Sequence, residues 1–329
     1  MKLQARQLVD RAIRLGTRVP GVAPVVRAMR RRSLGIVMYH GVVAERLPVE
    51  NWCHLDVGQF AAHLAFLSAH YTILPLKEAV ERLRDEKPLP RAPVALTFDD
   101  GFRSVLTTAL PVLEKHGAPA TVFLVTGGIG SRQPAWPDRL FHALVTTRRN
   151  HVELGKFSWE LRNEEQRAGA YRSLVGVLKN LDLADKDAAL AELLAALGAS
   201  PVPAESPLAI LDWREIDQLA RTGLIDFGSH TCTHPILSRC SEAVQEEELR
   251  ASRDVLRERL GRCDLFAYPN GTRADFTSAT MALVARLGYQ CALSTEPGLN
   301  RRGEDVFALR RVNVGAGTDA SQFERLMLG

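Results

Sequence analysis

Long apolar runs are missing from this chain: none of its 329 residues falls in an unbroken apolar stretch of about 18 or more, so no segment reads as a membrane span. The charge-free run 19–26 is interrupted by Pro20, Gly21 and Pro24, which removes the continuous apolar core of a secretory signal. Cysteine is scarce, with five residues, odd in number and widely spread. That fits reduced thiols in a cytoplasm better than a disulfide framework. Acid is nearly absent from residues 1–32, where nine Lys or Arg stand against Asp10 alone. The remainder carries 33 bases and 37 acids, so the basic character stops at the leader and no nucleic-acid partner is expected.

A hydrophobic share of 46% and a charged share of 24% are values of a globular chain with a sizeable core. The length suits a single α/β barrel. In the leader, Leu3, Leu8, Val9, Ala12, Ile13 and Leu15 give a rough apolar face among arginines. Such a helix can lie on an anionic membrane surface, the inner membrane face included, or can be solvated or docked on the core.

From residue 33 onward, short β-rich runs alternate with helical ones. The segments 35–40, 71–76, 93–98, 120–125, 224–229, 265–269 and 290–295 read as buried strands of a parallel sheet covered on both faces. Between them Pro111 suits the first turn of a helix that stops at Gly117, and Ser241 caps a helix over 242–260 that ends at Gly261. This β-then-α order predicts a parallel barrel or a doubly wound sheet. The stretch 139–208 breaks the rhythm: it holds helical patterns and no convincing strand, and reads as a helical insertion beside the site.

Polar clusters sit where strands end, the place where parallel α/β folds gather functional groups. Asp99 and Asp100 close the run 93–98, and the first base after them is Arg103. His230 and His234 follow 224–229 in "GSHTCTHP", and "FAYPNGT" follows a later strand. Taken singly, Asp-Asp-Gly is a surface turn and the histidines are loop residues. Together they suggest a divalent cation. Histidines this far apart can meet one ion if the backbone between them turns like a helix. One aspartate then joins them, and the other is left to take a proton from water, with the cation resolving the repulsion between two neighbouring carboxylates. A structural zinc site using Cys232 and Cys240 would leave the aspartate pair unexplained. "GGIGS" (127–131) lacks the third glycine of a dinucleotide loop and reads as a turn.

"TFDDG", "SHTCTHP" and "FAYPNG", with "MYHGV" near the start, resemble the motifs of the polysaccharide deacetylase family with NodB homology, in its branch with an MYH-type first strand. The resemblance runs from about Gly35 to the C-terminus. It implies a deformed parallel (β/α) barrel over 33–329, with the insertion at about 139–208 and the basic segment 1–32 ahead of it. It also implies Asp99 as catalytic base and Asp100, His230 and His234 as ligands of a divalent metal, usually zinc. The reaction would hydrolyse the N-acetyl group of an amino sugar in a polysaccharide, oligosaccharide or lipid-linked glycan and release acetate. Where the family's third motif has an arginine that orients the base, this chain has Ala267, and Arg311 is the candidate substitute. No histidine follows His234, so His40 is the candidate general acid. Tyr268, Asn270 and Trp136 are candidate substrate contacts, the amide of Asn270 as an oxyanion donor and Trp136 as a sugar platform or an anchor of the insertion. A hydrolase of cyclic imides on the same scaffold and a catalytically silent sugar-binding module are the competing readings.

Overall fold

The computed structural model describes residues 33–328; the amphipathic leader expected over 1–32 lies outside them. Seven parallel strands close a barrel in the order β1 (Gly35–Tyr39), β12 (Leu309–Asn313), β11 (Cys291–Pro297), β10 (Leu265–Ala267), β9 (Ile225–Ser229), β6 (Ala120–Leu124) and β5 (Pro93–Phe98), with β5 pairing back to β1. β4 (Thr72–Ile73) adds two residues alongside the start of β5.

The alternation of side chains along a strand decides what reaches the centre of the barrel. Ile36, Ala95, Phe123, Leu265, Leu293 and Leu309 fill the interior, joined by the buried face of α2 (Leu76–Arg84), which covers the end where the strands begin. The barrel is packed so tightly there that a Cβ on Gly228 would stand 2.5 Å from the Phe123 ring. Val37, Leu96, Val122 and Val312 point outward instead, against the buried residues of α1 (Val57–His70), α7 (Trp213–Arg221), α8 (Glu242–Leu260) and α9 (Ser278–Arg286). Counting by twos along the interior face leads from Ile36 to His40, from Ala95 to Asp99, and from Leu309 to Arg311. The open end of the barrel is therefore lined by polar groups while its floor is apolar.

Local signals are realised with named exceptions. Ser241 accepts from Val244 N and Gly261 takes a left-handed φ of 76°, so α8 starts and stops as its caps dictate. Pro111 lies in the first turn of α3 (Leu110–His116). The run 71–76 is a strand only at Thr72–Ile73, because Pro75 cannot donate to a ladder and α2 begins at the next residue. The stretch 139–208 does contain strands: between α4 (Trp136–Thr146) and α5 (Glu164–Lys179), β7 (His151–Leu154) and β8 (Phe157–Glu160) form a hairpin. Gly155, at φ 58°, is the first of its two turn residues, the position that two-residue hairpin turns give to glycine. α6 (Leu183–Ala196) completes the insertion. Its apolar core includes Trp136, Leu140, Leu144, Val152, Leu174 and Leu193, and forms a cluster separate from those of the barrel.

Two short strands, β2 (Gly41–Val43) and β3 (His54–Asp56), pair in parallel beside the open end. No helix among the described residues is long and apolar enough to cross a membrane, and all five cysteines are free.

Candidate active site

The paired acids at the end of β5 meet different surroundings. Asp99 is 2% exposed and receives Arg311 Nη1 and Nη2 on its two carboxylate oxygens, both at 2.8 Å. The guanidinium is itself fixed by donating from Nε to the Ser294 carbonyl at 2.8 Å. This planar, bidentate geometry orients the carboxylate as well as neutralising it. Burial alone would raise the Asp99 pKa, but the charge of Arg311 and its hydrogen bonds, with the imidazoles of His230 and His40 nearby, hold it at about 2. Asp99 thus has a buried guanidinium partner from β12, while position 267 is alanine. Arg103, the nearest base in sequence, pairs instead with Glu215 at 2.7 Å.

Asp100 turns the other way. Its φ of 68° points the side chain away from Arg311 and toward the two imidazoles. Its Oδ1 lies 3.6 Å from His230 Nε2 and 3.5 Å from His234 Nε2, and has no hydrogen-bond partner among the described residues. Burial first, then the charges of Asp138 and Asp99, push Asp100 well above the usual carboxylate range. Two adjacent acids driven in opposite directions mark a division of roles.

The histidines do not meet through a helical turn. Thr231 and His234 take left-handed φ values of 66° and 62°, and the loop closes as His234 N donates to Thr231 Oγ1 at 3.0 Å. For a β-branched residue such a conformation is costly and needs support from its surroundings. Glu248, from α8, supplies it by accepting from Cys232 N and Thr233 N at 2.8 Å each and from the Thr233 hydroxyl at 2.6 Å. The carbonyl of Ala267 accepts from His230 Nδ1 at 2.7 Å. That bond fixes the tautomer and turns the Nε2 lone pair toward Asp100. One donor atom each from Asp100, His230 and His234 lies within 4.8 Å of the others. This set of one carboxylate and two imidazoles, with an orphaned buried oxygen at its centre, fits a divalent cation with open positions for water and substrate.

His40 follows β1 directly, in step with its interior face. Burial lowers its pKa to about 4; Asp99 raises it while Arg311 and His230 lower it, so the ring is neutral at rest. Its Nδ1 is buried without a partner among the described residues. Asn270 sits at φ 59° with its side-chain Nδ2 likewise unpartnered.

The two aromatic candidates lie elsewhere. Tyr268 is fully buried, stacks on Phe276 with centroids 3.9 Å apart, and donates to the Phe307 carbonyl at 2.9 Å, so it braces the barrel wall and is withdrawn from substrate. Trp136 is 7% exposed within the core of the insertion, with Lys186 Nζ over its ring at 5.7 Å. It packs chiefly as an anchor of the insertion. Glu248 and Trp52, both near the site, carried little signal in sequence. Glu248 acts from a helix remote from the motifs. Trp52 stands edge-on to His40, with centroids 5.5 Å apart, in a stretch without periodicity. Asp138, at the start of the insertion, is 4% exposed and keeps Oδ1 unpartnered among the described residues.

A parallel barrel bearing acids and histidines at one end defines a class of barrel hydrolases, and comparison with known proteins narrows it. The profile of the polysaccharide deacetylase family matches residues 86–292, and the chain belongs to that family. YxkH of Bacillus subtilis, named for the same family, is 22% identical over 98% of this chain and 86% of its own length. The poly-beta-1,6-N-acetyl-D-glucosamine N-deacetylase of Staphylococcus epidermidis is 36% identical over 25% of this chain and 28% of its own length. Among solved structures, the Streptococcus pyogenes deacetylase PplD, in complex with acetate, superposes with a TM-score of 0.62 at 19% identity over 90% of this chain and 99% of that one. IcaB from Ammonifex degensii gives 0.58 at 19% identity over 91% and 98%. At these identities the structural likeness is one of fold.

Proposed function

We infer that the chain hydrolyses the N-acetyl group of an amino sugar within a glycan, with a divalent cation, zinc by preference, held by Asp100, His230 and His234. The observation that carries this reading is the convergence of those three donors beside an aspartate locked by a buried arginine. A bound cation would polarise the acetyl carbonyl and acidify water.

The side chains divide the remaining work. Asp99, held ionised and oriented by Arg311, takes a proton from the attacking water. The departing amine needs a proton, and His40 is the donor in this reading. Neutral at rest, His40 acquires that proton within the cycle from Asp99, whose charge favours the imidazolium. The Asn270 backbone amide is the proposed donor to the developing oxyanion. Arg311 answers one of the two departures that favoured a silent sugar-binding module, the missing arginine of the third motif, and His40 is the proposed answer to the other, the missing C-terminal histidine.

Acetate release from β-1,6-linked N-acetylglucosamine oligomers and from chitooligosaccharides, with chelator and after zinc is restored, tests the proposal. Release that a chelator abolishes and zinc restores is expected. Release untouched by chelation, or turnover confined to cyclic imides, would sink it. The basic segment 1–32 supports a further proposal, that the protein works in the cytoplasm against an anionic membrane face on a lipid-linked substrate. Sedimentation with anionic but not neutral vesicles is the expected outcome.

A further inference from the structure

We propose that the crevice between the helical insertion and the loop after His234 receives one oxygen of a phosphate carried by the substrate, so that a phosphorylated amino sugar is selected over a neutral one. This rests on the hydrolase reading above and names its substrate class, but its test is read from binding and needs no turnover.

Cations gather where the insertion meets the barrel. Lys179 is the last residue of α5, Lys186 lies on α6, and Arg239 closes the short turn Leu237–Arg239 that follows the histidine loop. All three line one crevice, whose other walls include Leu181, Pro235 and Ile236, and no Asp or Glu among the described residues lines it. Lys186 is 9% exposed, with its ammonium over the Trp136 ring, and pairs at 3.1 Å with Asp187, whose side chain is 64% exposed. A partner so open to water offsets little of that charge. Arg239 donates from Nη2 to the neutral Asn180 side chain at 3.2 Å, and Lys179 has no ion pair among the described residues. Three cations drawn together without a lining acid repel one another, and an entering anion relieves that repulsion.

The space narrows the choice of anion. The crevice holds about 20 Å³, room for one water-sized group and too little for a pyranose ring. A terminal phosphate oxygen fits where a ring does not. Two ammoniums also act as point charges toward a tetrahedral oxyanion, whereas a planar carboxylate is matched best by a bidentate guanidinium, as Asp99 is by Arg311.

Position ties the crevice to the reacting centre. Pro235, in its wall, directly follows the candidate ligand His234, a step of about 3.8 Å between Cα atoms. Lys179 acts at the same histidine, whose pKa is pushed well below the usual imidazole range by burial first, then by the charges of His230 and Lys179. The phosphate is therefore placed on the acetamido sugar itself, as in a glycan joined to its carrier through a phosphoester, and the apolar walls at Leu181 and Ile236 face what lies beyond it.

The experiment uses the full chain carrying Asp99→Asn, first loaded with zinc and then chelated. N-acetylglucosamine, its 1-phosphate and glucuronic acid are titrated by calorimetry at low ionic strength. The 1-phosphate is expected to bind at least about tenfold more tightly than the neutral sugar, the effect of one charge-assisted contact, and to lose that advantage as salt is raised. Adding Lys179→Gln and Arg239→Gln together should erase most of it, and Lys179→Arg should keep it. Lys186 is left in place because it packs on Trp136. Dependence on the two cations should persist after chelation, which separates the crevice from phosphate bound to the metal. Equal affinity for the neutral sugar and the 1-phosphate, no binding of the 1-phosphate, an advantage confined to the zinc-loaded form, an advantage untouched by the double substitution, or glucuronic acid bound as tightly as the phosphate each overturns the proposal. The two readings fail separately. Binding of the 1-phosphate that depends on Lys179 and Arg239, in a protein that releases no acetate with Asp99 intact, removes the hydrolase and keeps the crevice; acetate release from neutral oligomers, with binding of the 1-phosphate blind to both cations, does the reverse.

Discussion

The strand ends of the barrel and the helical insertion stand side by side but are held by opposite means. The insertion coheres through an apolar core of its own, where Leu140, Leu174 and Leu193 are fully buried. At the strand ends the contacts are polar. Arg311 clamps Asp99, Glu248 ties down the 231–234 loop, and Asp100, Thr231, His234 and Asn270 all take left-handed backbone conformations. Hydrophobic packing tolerates adjustment, whereas a bidentate ion pair does not. Chemistry that depends on fractions of an ångström is therefore placed on the second kind of support, and the insertion brings one carboxyl, Asp138, to its edge.

Breaking the polar side should cost activity before stability. Asp99→Asn is expected to lower acetate release by about a hundredfold or more, the usual worth of a general base, with bound metal unchanged by elemental analysis. Metal lost together with activity would show that Asp99 is a ligand instead. Arg311→Met leaves a buried carboxylate without its partner, so a loss of about 3–5 kcal/mol is expected in urea titrations. Wild-type stability in that variant would mean that the pair does not form in solution.

On the apolar side the order reverses. Leu174→Ala should cost about 2–5 kcal/mol by opening a cavity in the insertion, while metal content stays intact and acetate release falls by a few fold at most. An activity loss as large as that of Asp99→Asn would erase the distinction between the two regions. Asp138 links them and gives the smallest effect. Burial lifts its pKa to about 7, with the nearby Asn51 side chain and a backbone amide pulling the other way; unfolded, it would titrate near about 3.9. The folded state thus holds the proton more tightly, and the stability this provides is complete below about pH 4 and lost as pH rises through about 7. Asp138→Asn should therefore gain on wild type by a few degrees in Tm between about pH 5 and 8. Parallel pH profiles would show that no buried carboxyl titrates there.

What could be read in the sequence follows from how local each signal is. Asp99, Asp100, His230 and His234 stood out because each pair is close in sequence and follows an apolar run. The barrel itself was legible from the same runs. β12 was not among the expected strands, since Arg310 and Arg311 break its apolar character; Arg310 is exposed while Arg311 turns inward to Asp99. Residue type also misled. Tyr268 and Trp136 are aromatic and near motifs, yet the direction a ring faces is set by packing, and both face inward. Trp52 is half exposed and set against His40, but nothing in its sequence neighbours announces which way it points.

The clamp between Asp99 and Arg311 joins positions 212 residues apart. A chain emerging from the ribosome therefore exposes its acid long before the counter-charge has been translated, and β1 waits with one edge bare until the final strand slides in beside it. Closing the barrel and neutralising the buried acid are therefore one and the same step.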